Sequence, residues 1–317
     1  MKHKISVTIL LIAMFLVTQF IGLLVVNSYF PVTQTIVDPS TGEAREIEVE
    51  NPLPFGLENR ENSPNFLSIV FSFVLAVALV FFLMKYRWKK VIKVWFFLVV
   101  IIALSISLNA VLKNFLVYAS VISLVVAFPL AFFKVFRPSY IVHNATELFI
   151  YPGIAAVFVT LLTPFSALLV LVLISIYDMW AVWKSGIMQK MAKFQMEEIK
   201  VFGGLLIPSL SNKDRNEIKI VKQKYRNKEI PKKYKKRKYK VNLAILGGGD
   251  IIFPIIASGV FLKFFGIIPA LFVTFGALAG LIYLFSITEK GKSYPAMPYI
   301  SAGIFIGVLL ALVFRFI

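Results

Sequence analysis

Residues 241–262 read VNLAILGGGDIIFPIIASGVFL. The run is long enough to cross a bilayer core, which takes roughly 20 apolar residues of helix, with a working range of about 17–25. It holds one ionisable side chain, Asp250, preceded by Gly247-Gly248-Gly249 and followed four residues later by Pro254. A carboxyl group inside a membrane costs roughly 2.5–3.5 kcal/mol on insertion scales, which makes it a functional candidate by default. Each glycine weakens a helix by roughly 1 kcal/mol in aqueous scales. Pro254 also lacks the N–H that the Asp250 carbonyl would bond in a regular helix. Three glycines, an acid and a proline together predict a locally loosened backbone beside a wet site.

The rest of the chain supports the same solvent. Of its 317 residues 59% are hydrophobic and only 16% charged, against about 25% charged in a soluble domain. The expected fold is an all-α, multi-pass protein of the cell membrane with nine transmembrane helices, at 5–26, 66–84, 94–108, 115–133, 148–163, 165–183, 241–262, 267–287 and 295–314. The third and fifth are short, and Lys93 and Glu147 at their ends can lengthen them by snorkelling. Lys2 and Lys4 before the first run imitate a secretory signal, but no small-x-small cleavage site follows, and the run reads as a retained helix.

Charge sets the orientation. With the amino terminus inside, all but five of the 34 basic residues fall on the cytoplasmic side, the exceptions being Arg45, Arg60, Lys113, Lys263 and Arg315. The amino terminus is therefore expected in the cytoplasm and the carboxyl terminus outside it. Three parts follow: residues 1–183 with helices one to six and an acidic external loop at 27–65, a basic cytoplasmic loop at 184–240, and residues 241–317 with helices seven to nine. In the external loop Pro39-Ser40-Thr41-Gly42 predicts a turn and the alternation over 46–50 a short strand. The run Lys232-Lys233-Tyr234-Lys235-Lys236-Arg237-Lys238 reads as a solvated segment facing anionic lipid rather than nucleic acid. Residues 184–200 have the composition of a helix extending the sixth span, and the apolar island 201–208 lies on the membrane or supplies a strand edge. Neither loop has room for a soluble catalytic domain.

Fourteen of the sixteen acidic residues can be assigned to loops or helix ends. The exceptions are Asp250 and Asp178, and no Lys or Arg in the same apolar runs pairs with either. Asp178 stands six residues before Lys184, about 9 Å along a helix at 1.5 Å per residue, and Asp250 ten residues after Lys240, about 15 Å. Both fall in the cytoplasmic half, so they can share a depth. Two carboxyl groups brought together in a poor solvent cannot both ionise, which leaves one acid and one base across a shared proton. That pair can activate water for attack on an amide and then protonate the leaving nitrogen.

At these residues the chain resembles the presenilin and signal peptide peptidase family of intramembrane aspartyl proteases. Tyr177-Asp178 is similar to the Tyr-Asp pair of the family's sixth helix, and Gly247-Gly248-Gly249-Asp250 matches its Gly-x-Gly-Asp signature. Pro295-Ala296-Met297 resembles its Pro-Ala-Leu motif, with Met in place of Leu at 297. Each motif alone is weak, whereas three in order on the sixth, seventh and ninth of nine helices are specific. The resemblance implies that Asp178 and Asp250 are catalytic and that Tyr177, Gly247, Gly249, Pro295, Ala296 and Met297 shape the active site and substrate groove. It implies transmembrane substrate proteins and membrane lipids as partners, with no nucleic acid, cofactor or metal. It leaves the oligomeric state open. The orientation matches the presenilin branch, and the lack of animal-specific insertions is most like an archaeal homologue.

Rival chemistries fare less well. The two histidines, His3 and His143, do not form the His-Glu-x-x-His of a zinc protease, and the absence of cysteine removes thiolate metal sites and cysteine nucleophiles. A serine enzyme needs an intramembrane His, and none of the nine runs contains one. An ion channel or transporter using the two aspartates as ligands remains the alternative, although no inverted repeat is evident. A nonenzymatic scaffold leaves both acids unexplained.

Overall fold

The structure is a computed structural model that describes residues 5–37, 44–49, 51–56, 66–86, 88–184, 191, 194–199, 201–210, 221, 223, 225, 241–289 and 294–315. The predicted turn at 39–42 and the basic run at 232–238 lie outside these residues. The helices are α1 (Ile5–Asn27), α2 (Phe66–Lys85), α3 (Lys89–Leu112), α4 (Ala119–Phe136), α5 (Tyr140–Leu161), α6 (Pro164–Met179), α7 (Gly248–Phe265), α8 (Ile267–Ile287) and α9 (Met297–Arg315). Eight of them, α1 and α3 to α9, are each long and apolar enough to cross a membrane. Two antiparallel hairpins accompany them: β1 (Val32–Val37) with β2 (Ala44–Val49), and β3 (Gly204–Leu210) with β4 (Val241–Gly247).

The core forms where α1, α5 and α7 meet. Leu11 and Phe15 of α1, Ala155 and Val159 of α5, and Ile251, Ile255 and Val260 of α7 are buried together. Removing α1 would strip one wall from this core. A second cluster, with Val100 and Leu104 of α3 and Ala127 and Ala131 of α4, packs on the flank around Ile150. On the other side α8 and α9 approach until a methyl group at Gly276 or Gly303 would run into the opposing backbone. The two Gly-x-x-x-Gly spacings, 276/280 and 303/307, thus mark a close helix seam. Outward-facing Leu24, Leu67, Phe71, Val125 and Ile141 remain exposed, the pattern of helices whose outer faces meet lipid.

Just beyond the C-terminal end of α1, the Tyr29 hydroxyl donates to the Ile106 carbonyl (2.7 Å) and accepts from Asn109 Nδ2 (3.1 Å). Lys113 lies over the Tyr29 ring, 4.6 Å from its centre, and donates to the Ser28 carbonyl. Burial pushes the Tyr29 phenol up to about 12 and lowers the Lys113 ammonium.

Several sequence expectations are corrected. Residues 241–247, assigned to the seventh helix, form β4, and the helix begins at Gly248. Their β-branched and aliphatic composition suits either state, and pairing with β3 decides it. The 15 Å depth assigned to Asp250 on a continuous helix therefore falls away. The third and fifth helices run longer than read, and α5 carries Glu147 and His143 inside it. Glu147 is thus a third buried acid, and an intramembrane histidine does exist. Glu147 Oε1 accepts from Lys134 of α4 at 2.5 Å, both side chains being 1% exposed. α6 continues as a π-helical turn over Trp180–Lys184, and a second such turn spans Phe194–Ile199; most of the stretch between them, where the sequence predicts an extension of the sixth span, lies outside the described residues. The strand read at 46–50 appears as β2, and the island at 201–208 is largely β3.

Candidate active site

α6 opens on a capping box in which Thr163 and Ser166 bond each other's backbone N–H, with Pro164 in the first turn. Its other end carries Asp178, 7% exposed, one residue before the helix passes into the π turn. Asp178 Oδ2 accepts from the Met297 N–H at 3.0 Å, and the Ala296 N–H also donates to this carboxyl. These donors belong to the start of α9, where backbone N–H groups have no intrahelical acceptor. Pro295, which has no N–H, leads into them. The Pro-Ala-Met segment therefore offers two N–H groups to an acid. One turn back, the Ser175 hydroxyl reaches Ser301 Oγ (2.9 Å) and ties α6 to α9 on the same face.

Asp250 reaches the site by a different route. β4 ends at Gly247, which is extended (φ −63°, ψ 148°) and serves as the N-cap of α7. Gly248 and Gly249 are then the first two helical residues, and Asp250 occupies the third position. From there its carboxyl accepts the Gly247 N–H, the geometry by which an acid caps its own helix. The expected loosened backbone is thus a strand-to-helix junction. Gln19 of α1 braces the next residue, its Nε2 donating to the Ile251 carbonyl at 3.0 Å. Asp250 is 8% exposed and stands within electrostatic reach of Asp178. The two acids, separated by 72 residues of sequence, share one site.

The three glycines differ in what they permit. A methyl at Gly247 would come 3.0 Å from Asp250 Oδ2, and one at Gly248 would come 2.9 Å from Tyr151 Oη of α5. At Gly249 the nearest neighbour would be the Phe253 ring at 3.6 Å, an ordinary contact, and Gly249 itself is exposed. Gly249 therefore marks the open side of Asp250. Tyr177 is half-buried, with its ring 6.2 Å from that of Trp180.

Sequence reading missed the polar face of α5. His143 Nδ1 lies 3.3 Å from Lys134 Nζ, and Nε2 lies 2.7 Å from the Gly204 carbonyl. Lysine can only donate, so Nδ1 accepts and the ring proton sits on Nε2. Both nitrogens are engaged, which removes this histidine as the base of a serine enzyme. Asn144 donates to the Leu206 carbonyl (2.7 Å) and accepts its N–H (2.9 Å). Through Gly204 and Leu206, α5 thus occupies the outer edge of β3. A signal was present, since His143, Glu147 and Tyr151 fall at i, i+4 and i+8 on one helical face. A fifth span beginning at 148 separates the three, leaving His143 outside it, Glu147 at its end and Tyr151 within.

No group of three or more His, Cys, Asp or Glu that could hold a metal ion occurs among the described residues. A comparison with protein families matches residues 47–317 to the one described as "Signal-peptide peptidase, presenilin aspartyl protease". Among solved structures, a presenilin family intramembrane aspartate protease in space group C222 superposes with a TM-score of 0.58 at 18% identity, covering 97% of this chain and 99% of that chain. The P2 form gives 0.57 at 19% identity, covering 96% of each chain. At that identity the likeness establishes a shared fold. No curated protein matches.

Proposed function

We propose, for a chain that belongs to the signal-peptide peptidase and presenilin family of aspartyl proteases, that Asp178 and Asp250 are the catalytic pair. The protein is an intramembrane aspartyl endopeptidase, a multi-pass integral membrane protein. The observation that carries the assignment of residues is the meeting of two buried carboxyls from α6 and α7, each bonded by backbone N–H groups. In the proposed reaction one carboxylate takes a proton from water as the water oxygen bonds the scissile carbonyl carbon. The protonated partner donates to the carbonyl oxygen. Collapse of the tetrahedral species breaks the C–N bond: the leaving nitrogen takes the proton now held by the base, and one hydroxyl of the tetrahedral carbon returns a proton to the partner carboxylate, giving a carboxyl, an amine and the pair in its starting state.

Nine spans with a cytoplasmic amino terminus put this pair in the inner half of the membrane, with the three-part division at 184 and 241 separating the basic loop from the two helical parts. A transmembrane substrate must unwind before its amide is attacked, and an extended segment needs backbone partners. β4 is the template we assign. Leu206 and Gly204 turn their backbone groups away from β4 toward α5. In an antiparallel pair, residues opposite such positions also face outward, so Ile245 and Leu243, across from Leu206 and Pro208, face the side away from β3. Pro208 fits the same register, since its missing N–H points out of the ladder. A substrate strand added there leads directly to Asp250.

The test is cleavage of a single-span membrane protein by the purified enzyme, with products identified by mass spectrometry. Cleavage inside the span that disappears in Asp178→Asn and in Asp250→Asn is expected. Equal cleavage by all three proteins would remove the catalytic assignment, and ion flux into liposomes that responds to either change would favour the channel instead.

A further inference from the structure

Tyr151 stands between the candidate pair and the buried cluster on α5. It is 4% exposed, and its hydroxyl lacks a fully formed hydrogen bond. A phenol left unpartnered in a protein interior forfeits the solvation it had in water, so such a group calls for a partner. The hydroxyl lies over Gly248, close enough that any side chain there would collide with it. Two carboxyls stand near it: Glu147, one turn earlier on α5, at the margin of hydrogen-bond range, and Asp250, two residues beyond Gly248, close enough for its charge to act on the phenol. They differ in what they already have. Glu147 is bonded by Lys134 at 2.5 Å and approached by His143 at 3.7 Å. Asp250 has the Gly247 N–H and faces Asp178, a group of like charge.

The remaining surroundings add no competitor. α1, β3 and β4 pack here without a titratable side chain, and those of α3 are confined to its first turns at Lys89, Lys90 and Lys93. On α4 the charged group facing this region is Lys134, already committed to Glu147. A phenol is both donor and acceptor. It can donate to a carboxylate and accept from a carboxylic acid, whereas a backbone N–H serves only the first.

We infer that Tyr151 is a positioning residue for Asp250, its hydroxyl donating to the carboxylate and accepting from the carboxylic acid, so that one side chain holds the group in both states. This rests on Asp250 being one of the catalytic pair. It also explains the small residue at 248, where the space beside the junction is taken by the phenol from α5. Glu147 and Lys134 hold the helix that delivers the ring.

The test uses the full-length protein in detergent micelles. Infrared difference spectra titrated with pH give the carboxyl band of Asp250, assigned by its loss in Asp250→Asn. In Tyr151→Phe, which keeps the ring and its packing, the band should shift and its titration midpoint should move by roughly half a pH unit or more. Proteolysis should fall about tenfold in kcat with KM unchanged, the size of one lost hydrogen bond. Gly248→Ala, which displaces the ring and keeps the hydroxyl, should move the same band, and Gly248→Ala/Tyr151→Phe should move it no further. An Asp250 band and midpoint unchanged by both single changes would overturn the inference. If the band responds while Asp178→Asn and Asp250→Asn still cleave, the positioning contact stands and the catalytic reading falls. If those variants are inactive while the band is indifferent to Tyr151, the reverse holds.

Discussion

Asp178 and Asp250 are each met by backbone N–H groups. Donors built into helix termini keep their aim through a reaction cycle, whereas a neighbouring lysine would neutralise the acid and withdraw it from proton transfer. The same positions make the glycines testable one at a time. Gly247→Ala presses on Asp250 Oδ2 and should lower cleavage about tenfold or more, because about 1.4 kcal/mol of misalignment is enough. Gly249→Ala meets only ordinary contact in the resting enzyme, so thermal unfolding should be unchanged and any effect should appear in KM. Equal loss in both variants, without unfolding, would contradict this division of roles. The Lys134–Glu147 pair is a stability feature of the same grain. Lys134→Met leaves Glu147 buried and unpaired, and a lost buried partner costs about 3–5 kcal/mol. Unfolding in detergent should show that loss, and Lys134→Met/Glu147→Gln should recover part of it.

Among the elements, the β3–β4 hairpin and its junction with α7 fix where Asp250 stands. Substituting Ile245→Pro removes an N–H that faces away from β3, as Pro208 already does in the opposite strand, so the hairpin should survive. Substrate docking should not: KM should rise several-fold with the melting temperature held. An unchanged KM would place the substrate elsewhere. This element was also the least legible in sequence. Residues 241–247 join an apolar run without a break, and a continuous apolar run fits strand and buried helix equally well. What separates them is pairing with 204–210 across the basic loop, a contact that periodicity does not encode. Glu147 was misplaced for a related reason: the ion pair that allows it inside α5 is supplied by Lys134 on another helix. By contrast, Asp178 and Asp250 stood out because an unpaired acid in an apolar run has no inexpensive structural explanation.

For the whole molecule, hydropathy and charge were enough to choose a membrane fold and to bring the three motifs into order, since bilayer thickness constrains every span alike. They could not reveal that α1, α5 and α7 form the centre, nor that α5 reaches both β3 and the glycine turn. That arrangement makes the site a joint product of distant segments: α9 supplies donors to Asp178, α1 braces the turn after Asp250, and α5 holds β3, the partner of the strand leading to it. Two acids working on one proton should fail as a unit rather than separately. The measurement that tests this most directly is single-turnover cleavage by the wild type, Asp178→Asn, Asp250→Asn and Asp178→Asn/Asp250→Asn, all confirmed folded. The account predicts that each single change lowers the rate by about a thousandfold or more, to the floor set by the double change. A single variant that retains substantial cleavage, or losses that add in the double variant, would contradict a shared catalytic pair.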